Sequence, residues 1–293
     1  MKGTGIDKMK FLILKITNKC NLRCIYCYRE CNRGKRDMEF KTARNAIDYI
    51  LERDERVKIQ FTGGEPLLNF PLIERVVDYC RDRYPDKSIS YALQTNGTLL
   101  EEGIIERIKE LNIKVGVSLD TVDPEDTTLR PYWDGRPSTL DTLRGIYLLR
   151  EKNIPFGVTT VVTSKNLPHL LDLLYYLLSI GVRSISFDLL KPKRREHLPL
   201  LPEEEKFKRI LEKVRDLPIY IKNLRRKPGD IYCYLNSGDL LFVNEVGDVY
   251  PCPTLEGHFY IGNINRGDVK MFKVRCNNCF ARNYLMRIFN DSC

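Results

Sequence analysis

Short strand-like and helix-like segments alternate along most of this 293-residue chain. Apolar runs rich in branched residues alternate with segments whose apolar residues recur every three to four positions, which predicts strands followed by helices. The predicted strands are residues 11–17, 57–61, 90–95, 113–119, 156–163 and 184–189. The predicted helices are residues 40–53, 71–84, 101–111, 139–151, 167–180 and 203–217.

This alternation predicts an α/β fold with a parallel sheet and helices on its outer face. Six units are too few to close an eight-stranded barrel of the usual kind, so the pattern leaves an open sheet and a partial barrel as alternatives. In both, the chemistry is expected at the carboxyl ends of the strands. The rhythm stops after Leu217, which predicts one domain over residues 1–218 and a small second domain over residues 219–293.

Three cysteines follow the first predicted strand in the run KCNLRCIYCY. Cys20, Cys24 and Cys27 have the spacing C-x3-C-x2-C, and three thiolates in one loop can hold three corners of a cubane iron–sulfur cluster. Electron-transfer clusters are usually held by four cysteines, so the fourth iron would remain open to bind another molecule. The alternative is a structural zinc site with Cys31 as fourth ligand, although such sites more often use paired C-x2-C spacings.

Polar residues and glycines follow the next three predicted strands, in the strings TGGEPL, QTNGT and SLD. Those that face the cysteines at the same sheet edge are predicted to be Gly63, Gly64, Glu65, Asn96, Ser118 and Asp120. Paired glycines let the backbone approach a ligand, and a carboxylate accepts hydrogen bonds from an ammonium group. Taken singly, the GGEP string also suits a tight turn, and the other polar residues could cap the helices that follow.

The strings CNLRCIYCY, FTGGEPLLNF, QTNGTLL, SLD and LRPYWDG resemble, in order and spacing, radical S-adenosylmethionine enzymes that modify peptides and proteins. The resemblance covers nearly the whole chain and implies a partial, six-unit (β/α)6 TIM-like barrel. It implies that Cys20, Cys24 and Cys27 hold a 4Fe–4S cluster whose open iron binds S-adenosylmethionine.

The same resemblance assigns contacts to S-adenosylmethionine residue by residue. Its implied contacts are Tyr26 near the adenine, Gly63, Gly64 and Glu65 at the amino group, and Asn96, Ser118, Asp120 and Arg130 at the other polar groups. Arg130 would equally suit a surface ion pair with Glu125 or Asp126.

Four further cysteines lie in the C-terminal quarter, and they are Cys233, Cys252, Cys276 and Cys279. Four soft ligands with a terminal C-x2-C pair suit either zinc or a 4Fe–4S cluster. Their spacing resembles the shortened "twitch" form of the SPASM extension, which implies one auxiliary 4Fe–4S cluster. Leu285 and Phe289 stand where a full SPASM extension has two more cysteines, so a second auxiliary cluster is not expected. Cys293 is an alternative ligand.

Composition bounds the partners and the compartment of the protein. The chain has 48 basic and 39 acidic residues, hence a net charge of +9, which favours an anionic partner or the charged surface of a thermophile. Nucleic acid is a weak candidate because no aromatic–basic stacking motif accompanies the charge. The N-terminus lacks a signal peptide and no apolar run is long enough to span a membrane. Ten cysteines in such a chain predict a reduced, cytoplasmic metalloprotein.

The resemblance implies a reaction in which one electron from an external donor of the flavodoxin or ferredoxin type cleaves S-adenosylmethionine. The resulting 5′-deoxyadenosyl radical would remove a hydrogen atom from the substrate, and the auxiliary cluster would assist electron transfer. The substrate is expected to be a peptide or protein side chain. The alternatives are a small molecule of cofactor or secondary-metabolite biosynthesis and, from another class, a non-enzymatic iron–sulfur or zinc-binding protein.

Overall fold

The computed structural model describes residues 9–28, 36–222, 224, 233–274 and 278–290. Its strands are β1 (Lys10–Lys15), β2 (Arg56–Thr62), β3 (Ser88–Thr95), β4 (Ile113–Ser118), β5 (Phe156–Val162), β6 (Ser184–Leu189), β7 (Tyr220–Ile221), β8 (Leu240–Val243), β9 (Asp248–Tyr250) and β10 (Gly262–Asn263). Its helices are α1 (Phe40–Leu51), α2 (Phe70–Arg83), α3 (Glu102–Glu110), α4 (Thr139–Glu151), α5 (Leu170–Ser179), α6 (Glu204–Lys213), α7 (Tyr234–Ser237) and α8 (Phe280–Asn290).

All of these strands belong to one sheet with the order β10-β9-β8-β1-β2-β3-β4-β5-β6-β7. Strands β1 to β7 are parallel and follow each other in sequence order, with a helix after each of the first six. The α/β fold with a parallel sheet is therefore confirmed, and each of the six predicted strands and helices is present. Among the described helices, none combines the length and the apolar character needed to cross a membrane.

Local sequence explains how the units are joined. Helix α1 buries Ala43, Ala46 and Ile47 on one face, as its apolar periodicity predicts. After helices α3 and α4 the chain turns towards the next strand through Asn112 and Asn153, whose φ angles are 54° and 55°. Asparagine tolerates this left-handed conformation better than most residues, so it ends each helix at a defined position.

The strands alternate between an apolar face towards the helices and a polar face towards an interior cavity. On β2, Val57, Ile59 and Phe61 are completely buried. The intervening residues, Lys58, Gln60 and Thr62, line the cavity. The same alternation on β3 to β6 makes one cavity of about 510 Å³ that these strands surround. The sheet is thus a partial barrel, and its polar lumen is available to a ligand.

The C-terminal part of the chain joins the same sheet. Strand β8 pairs in parallel with β1, and β9 and β10 add antiparallel strands beyond it. Lys15 at the end of β1 is buried and forms ion pairs with Glu245 at 3.1 Å and with Glu256 at 2.9 Å. The sheet thus runs across the predicted boundary at residue 218. The division into two domains stays a prediction.

Strands β9 and β10 form a short antiparallel pair. Strand β8 was not predicted from the sequence. Three cysteines named above, Cys31, Cys276 and Cys293, lie outside the described residues.

Candidate active site

The cysteine loop (residues 18–28) leaves the carboxyl end of β1 and forms part of the cavity wall. Cys20, Cys24 and Cys27 all line the cavity, and each is partly accessible and free of disulfides. Residues 129–133 hold the loop in place through two backbone hydrogen bonds. The Arg23 amide donates to the Pro131 carbonyl at 2.8 Å, and the Ile25 amide donates to the Leu129 carbonyl at 3.1 Å. The indole Nε1 of Trp133 also donates to the Cys20 carbonyl at 2.9 Å. The three cysteines therefore lie in the cavity wall, on a loop that these hydrogen bonds hold in position.

Gly63 and Gly64 pack directly beneath the cysteine loop. A Cβ atom at Gly63 would lie 2.6 Å from the Thr17 carbonyl oxygen, and one at Gly64 would lie 2.8 Å from the Cβ of Cys20. The Gly64 amide donates to the Thr17 carbonyl at 2.9 Å. These glycines are needed because the two backbones touch, and this close approach fixes the height of the cysteine loop above β2.

Glu65 is buried behind this contact. Its Oε1 accepts hydrogen bonds from the Leu67 amide at 3.1 Å and from the Thr95 hydroxyl at 2.7 Å. Its Oε2 accepts from the Asn96 amide at 2.7 Å. Burial raises the pKa of Glu65, and these three donors oppose that rise. The carboxylate thereby joins the end of β2 to the end of β3.

Asn96 continues the connection from β3 to the cysteine loop. Its Nδ2 donates to Oδ1 of Asn21 at 2.8 Å, and Nδ2 of Asn21 donates to the Thr98 hydroxyl at 2.8 Å. The Oδ1 of Asn96 accepts from the Thr98 amide at 2.9 Å. Asn21 lies between Cys20 and Leu22, so this amide pair positions the first cysteine. Asn21 and Thr98 were not predicted as site residues.

Tyr26, Asp120 and Arg130 form a buried polar group beside Cys24. The Tyr26 hydroxyl donates to Oδ2 of Asp120, and Nη1 of Arg130 lies 2.8 Å from that hydroxyl and 3.5 Å from the same carboxylate oxygen. The other oxygen of Asp120 accepts from the Val161 amide at 2.8 Å. Burial raises the pKa of Tyr26 well above its ordinary value, so the phenol remains a donor.

Arg130 therefore pairs with Asp120 inside the protein and not with Glu125 or Asp126. Its Nε is buried without a hydrogen-bond partner in the described part of the chain. An unpaired buried donor of this kind is costly, and an anionic group of a bound molecule would satisfy it.

The predicted site residues divide into two sets. Those that line the cavity are Tyr26, Gly63, Gly64, Asn96, Ser118 and Arg130, together with the three cysteines of the loop. Glu65 and Asp120 lie behind the cavity wall in the described structure. β4 ends at Ser118, so Asp120 no longer follows the strand's alternation. Ser118 accepts a hydrogen bond from Gln94 at 3.0 Å on the lumen side.

The donor set of the cysteine loop fits an iron–sulfur cluster. Soft thiolates are the usual ligands of such clusters, and all three thiols lie on one short loop that faces a cavity. Burial raises the pKa of Cys24 to about 12, with Arg130 opposing, so the thiol is protonated in the metal-free protein and would have to lose that proton to bind a metal. Within the described residues, no three Cys, His, Asp or Glu side chains converge on a single metal ion. A cubane requires less convergence, because each thiolate binds a different iron.

The C-terminal cysteines are brought together in part. Cys252 and Cys279 are close enough to act electrostatically on each other and on Lys191. Burial alone would lower the pKa of Lys191, but Asp188 and these two thiols raise it above its ordinary value. Cys233 precedes α7 and lies 3.2 Å from Oδ1 of Asn236. Cys80, by contrast, is completely buried in the core.

The segment after β6 contacts the end of the cysteine loop. Nη2 of Arg194 donates to the Cys27 carbonyl at 3.3 Å and lies 3.1 Å from Nε2 of His197. The Lys193 amide donates to Nδ1 of His197 at 3.2 Å. His197 is completely buried, and burial together with Arg194 lowers its pKa to about 4. The imidazole is therefore neutral at physiological pH.

Lys58 and Lys114 were missed as cavity residues, although the sequence carries a signal for them. Each stands two residues before another cavity residue on its strand, in the strings KIQFT and KVGVS. Polar or small residues at every second position of an otherwise apolar strand indicate a face that does not pack against helices. Lys222, which follows β7, also lines the cavity.

Comparison with known families and proteins gives a consistent result. Residues 14–177 match a family model described as the Radical SAM superfamily. The chain is 60% identical over 285 residues to an uncharacterized protein of Methanocaldococcus jannaschii, an alignment that covers 97% of this chain and 99% of that protein.

Two named relatives are more distant. The radical SAM cyclopropyl synthase TigE of Paramaledivibacter caminithermalis is 32% identical over 174 residues, which cover 54% of this chain and 36% of that protein. The subtilosin biosynthesis protein AlbA of Bacillus subtilis is 24% identical over 266 residues, which cover 85% of this chain and 56% of that protein. The alignments thus span only about a third to just over half of the length of these two relatives.

Solved structures share the fold. The structure of anSMEcpe with bound AdoMet superposes with a TM-score of 0.76 at 21% identity and covers 91% of this chain and 81% of that chain. The structure of SuiB of Streptococcus suis bound to precursor peptide SuiA superposes with a TM-score of 0.63 at 14% identity, and the alignment covers 86% of this chain and 61% of that chain.

Proposed function

Because this chain belongs to the radical SAM superfamily and is a radical SAM enzyme, we propose that it oxidatively modifies a peptide or protein side chain. The observation that carries the proposal is the cysteine loop itself. Cys20, Cys24 and Cys27 line a barrel lumen in which Arg130 presents an unsatisfied buried donor. When bound there, a 4Fe–4S cluster and S-adenosylmethionine supply a 5′-deoxyadenosyl radical that abstracts hydrogen from the substrate.

The residues of this chain bind and orient those groups and limit the access of water. The three thiolates would hold the cluster, and Arg130 would take the carboxylate of the cofactor through its unsatisfied Nε. Tyr26 and Asp120 fix the guanidinium of Arg130 in place. Gly63 and Gly64 allow a close backbone approach, and Asn96 and Ser118 offer amide and hydroxyl groups from the lumen wall. Glu65 contributes by positioning β3 and, through Asn96, the cysteine loop.

A second 4Fe–4S cluster is proposed on Cys233, Cys252, Cys276 and Cys279. The mutual proximity of Cys252 and Cys279 supports it. The neighbouring residue Pro253 lines the same cavity as the cysteine loop, so this cluster would be close to the substrate. Four protein ligands leave no iron open, which favours electron transfer or bracing over direct substrate binding. Electrons would enter from an external donor of the flavodoxin or ferredoxin type.

A peptide substrate is supported by the relatives. AlbA is named for bacteriocin biosynthesis, and SuiB was solved with a precursor peptide. A small-molecule substrate is the second candidate, favoured by a cavity of about 510 Å³, which lies in the range of ordinary small-molecule pockets. The two are separated by incubating the anaerobic enzyme with candidate peptides encoded near its gene and with cell metabolites, and by following deuterium transfer into 5′-deoxyadenosine.

The test of the chemistry is reductive cleavage of S-adenosylmethionine. The reconstituted enzyme with dithionite is expected to form 5′-deoxyadenosine, and Cys20→Ala, Cys24→Ala and Cys27→Ala are each expected to abolish it. Cys80→Ala is the matched control, because Cys80 is a buried core residue away from the cavity. Cleavage that survives loss of a loop cysteine would refute the assignment.

The auxiliary cluster has a separate test. Cys252→Ala is expected to lose about four irons per chain and to keep cleavage of S-adenosylmethionine, since the loop cysteines are untouched. Substrate modification is expected to stop if the second cluster takes up the substrate electron. An unchanged iron content would show that Cys252 ligates no cluster.

A further inference from the structure

Three lysines surround the amino-terminal end of the barrel lumen. Lys58 on β2, Lys114 on β4 and Lys222 after β7 all line the cavity that also contains the cysteine loop. We call this group the lysine end. Lys58 is half-buried, whereas Lys114 and Lys222 are exposed, so the group lies where the lumen opens to solvent. The three side chains come from separate strands or their ends and line one cavity.

Within the described part of the chain, none of these three lysines forms an ion pair with a carboxylate, and the Lys58 ammonium lies 4.9 Å from the centroid of the Phe11 ring. Burial lowers the pKa of Lys58, and the positive charges of Lys222 and Lys114 lower it further. Among the described residues that line the cavity, Asp188 is the sole carboxylate, and it lies 3.8 Å from Lys191 near the other end. Like charges held together in a lumen repel each other, and an anion placed between them would relieve the repulsion.

Small side chains keep the space between the lysine end and the cysteine loop open. Gly116 and Gly157 lie at the same level of the lumen on β4 and β5. A Cβ atom at Gly116 would lie 2.5 Å from the Gln94 side chain, so glycine is required there to give that amide room. The lumen is therefore continuous from one end to the other.

The length of the lumen limits what can occupy both ends. Lys58 and Thr62 are the first and last cavity residues of β2, and four residues of strand span about 13 Å. An extended peptide advances roughly 3.3–3.6 Å per residue, so this distance corresponds to about four peptide residues.

We propose that the lysine end binds a carboxylate of an acidic peptide substrate, while the residue to be modified lies at the cysteine loop. The acidic group would be an Asp or Glu side chain, or the terminal carboxylate, about four residues from the modified position. This inference rests on the proposed function for the modified residue, but the binding of an acidic peptide can be measured without any radical chemistry.

The experiment is isothermal titration of the purified protein with hexaglutamate, hexaglutamine and pyrophosphate. A triple variant with Lys58→Gln, Lys114→Gln and Lys222→Gln is expected to bind hexaglutamate about ten-fold more weakly than the native protein. The same three lysines changed to Arg keep the charge and are expected to retain binding. Hexaglutamine is expected not to bind.

A control variant removes the same charge elsewhere. Lys41, Lys109 and Lys213 are exposed on the outer helices, and their joint change to Gln is expected to alter affinity by less than about two-fold. Equal losses in the two Gln variants, or no binding of hexaglutamate to the native protein, would overturn the proposal. Binding of pyrophosphate without hexaglutamate would also overturn it, in favour of a phosphorylated small molecule.

Folding and function are controlled separately. If the triple variant fails to fold, Lys114→Gln alone replaces it in the test, because Lys114 is exposed. This single variant is expected to bind hexaglutamate measurably more weakly than the native protein. Absence of S-adenosylmethionine cleavage by the native enzyme would refute the proposed function and leave the binding result standing. Normal cleavage of S-adenosylmethionine, together with hexaglutamate binding that does not depend on the three lysines, would refute only the role of the lysine end.

Discussion

Replacing Glu65 by Gln tests whether this residue acts as a structural connection between strands. The substitution keeps the shape of the side chain but turns one carboxylate oxygen into an NH2 group. In the native structure Oε1 accepts from Leu67 and Thr95 and Oε2 accepts from Asn96. Whichever oxygen is replaced, at least one buried donor then faces another donor.

The expected cost follows from that loss. A hydrogen bond to a charged group is worth about 1.5–3 kcal/mol, so we expect the free energy of unfolding to fall by about 2 kcal/mol. For a domain of this size the melting temperature should fall by roughly 4–8 °C, at about 2–4 °C per kcal/mol. Because Asn96 holds Asn21 in the cysteine loop, affinity for S-adenosylmethionine should fall as well.

The assay is thermal unfolding followed by circular dichroism, with S-adenosylmethionine binding measured on the same preparations. Glu125→Gln is the matched control, since Glu125 is exposed outside the cavity, and it should leave both quantities unchanged. A Glu65→Gln protein that melts with the native protein but binds S-adenosylmethionine more weakly would refute the structural argument. Glu65 would then contact the ligand directly, as the sequence alone suggests.

Two further results are expected. Gly64→Ala should displace the cysteine loop and greatly reduce the iron content, because the new Cβ would lie 2.8 Å from the Cβ of Cys20. Gly103→Ala, in open space on α3, is the control and should leave the iron content unchanged. Equal iron content in the two variants would contradict the packing argument. The pKa of His197 is lower in the folded protein than in the unfolded chain, so the unfolded state binds more protons between pH 6.5 and about 4. The free energy of unfolding should therefore decrease as the pH is lowered through that window, by up to about 3 kcal/mol. Chemical denaturation at several pH values should show a weaker fall in His197→Gln than in the native protein or in His169→Gln, and equal slopes would refute this.

Local periodicity was sufficient to predict the β/α units, but pairing distant in sequence was not predictable from it. Residues 240–243 form only a short apolar run, and their partner β1 lies some 230 positions earlier. The same limit explains the site. Spacing identified Cys20 and its neighbours, but a motif does not say whether a carboxylate faces the ligand or lies behind the wall, as Glu65 does.

The lysine end was missed for a different reason. Lys58 was read as part of an apolar strand, although its alternation with Ile59 already indicates a second, polar face. That face acquires meaning only when the sheet curves and brings Lys114 and Lys222 opposite to it.

The pairing of β8 with β1 has a consequence for biosynthesis. One edge of β1 is covered by β2 soon after it is made, but the other edge waits for residues 240–243. Until then the nascent chain exposes an unpaired apolar strand, which is a template for aggregation. Contacts so distant in sequence also slow folding. The second edge of the strand that precedes the cysteine loop is therefore covered late, and chaperone protection of that edge would have to last until residues 240–243 have been made.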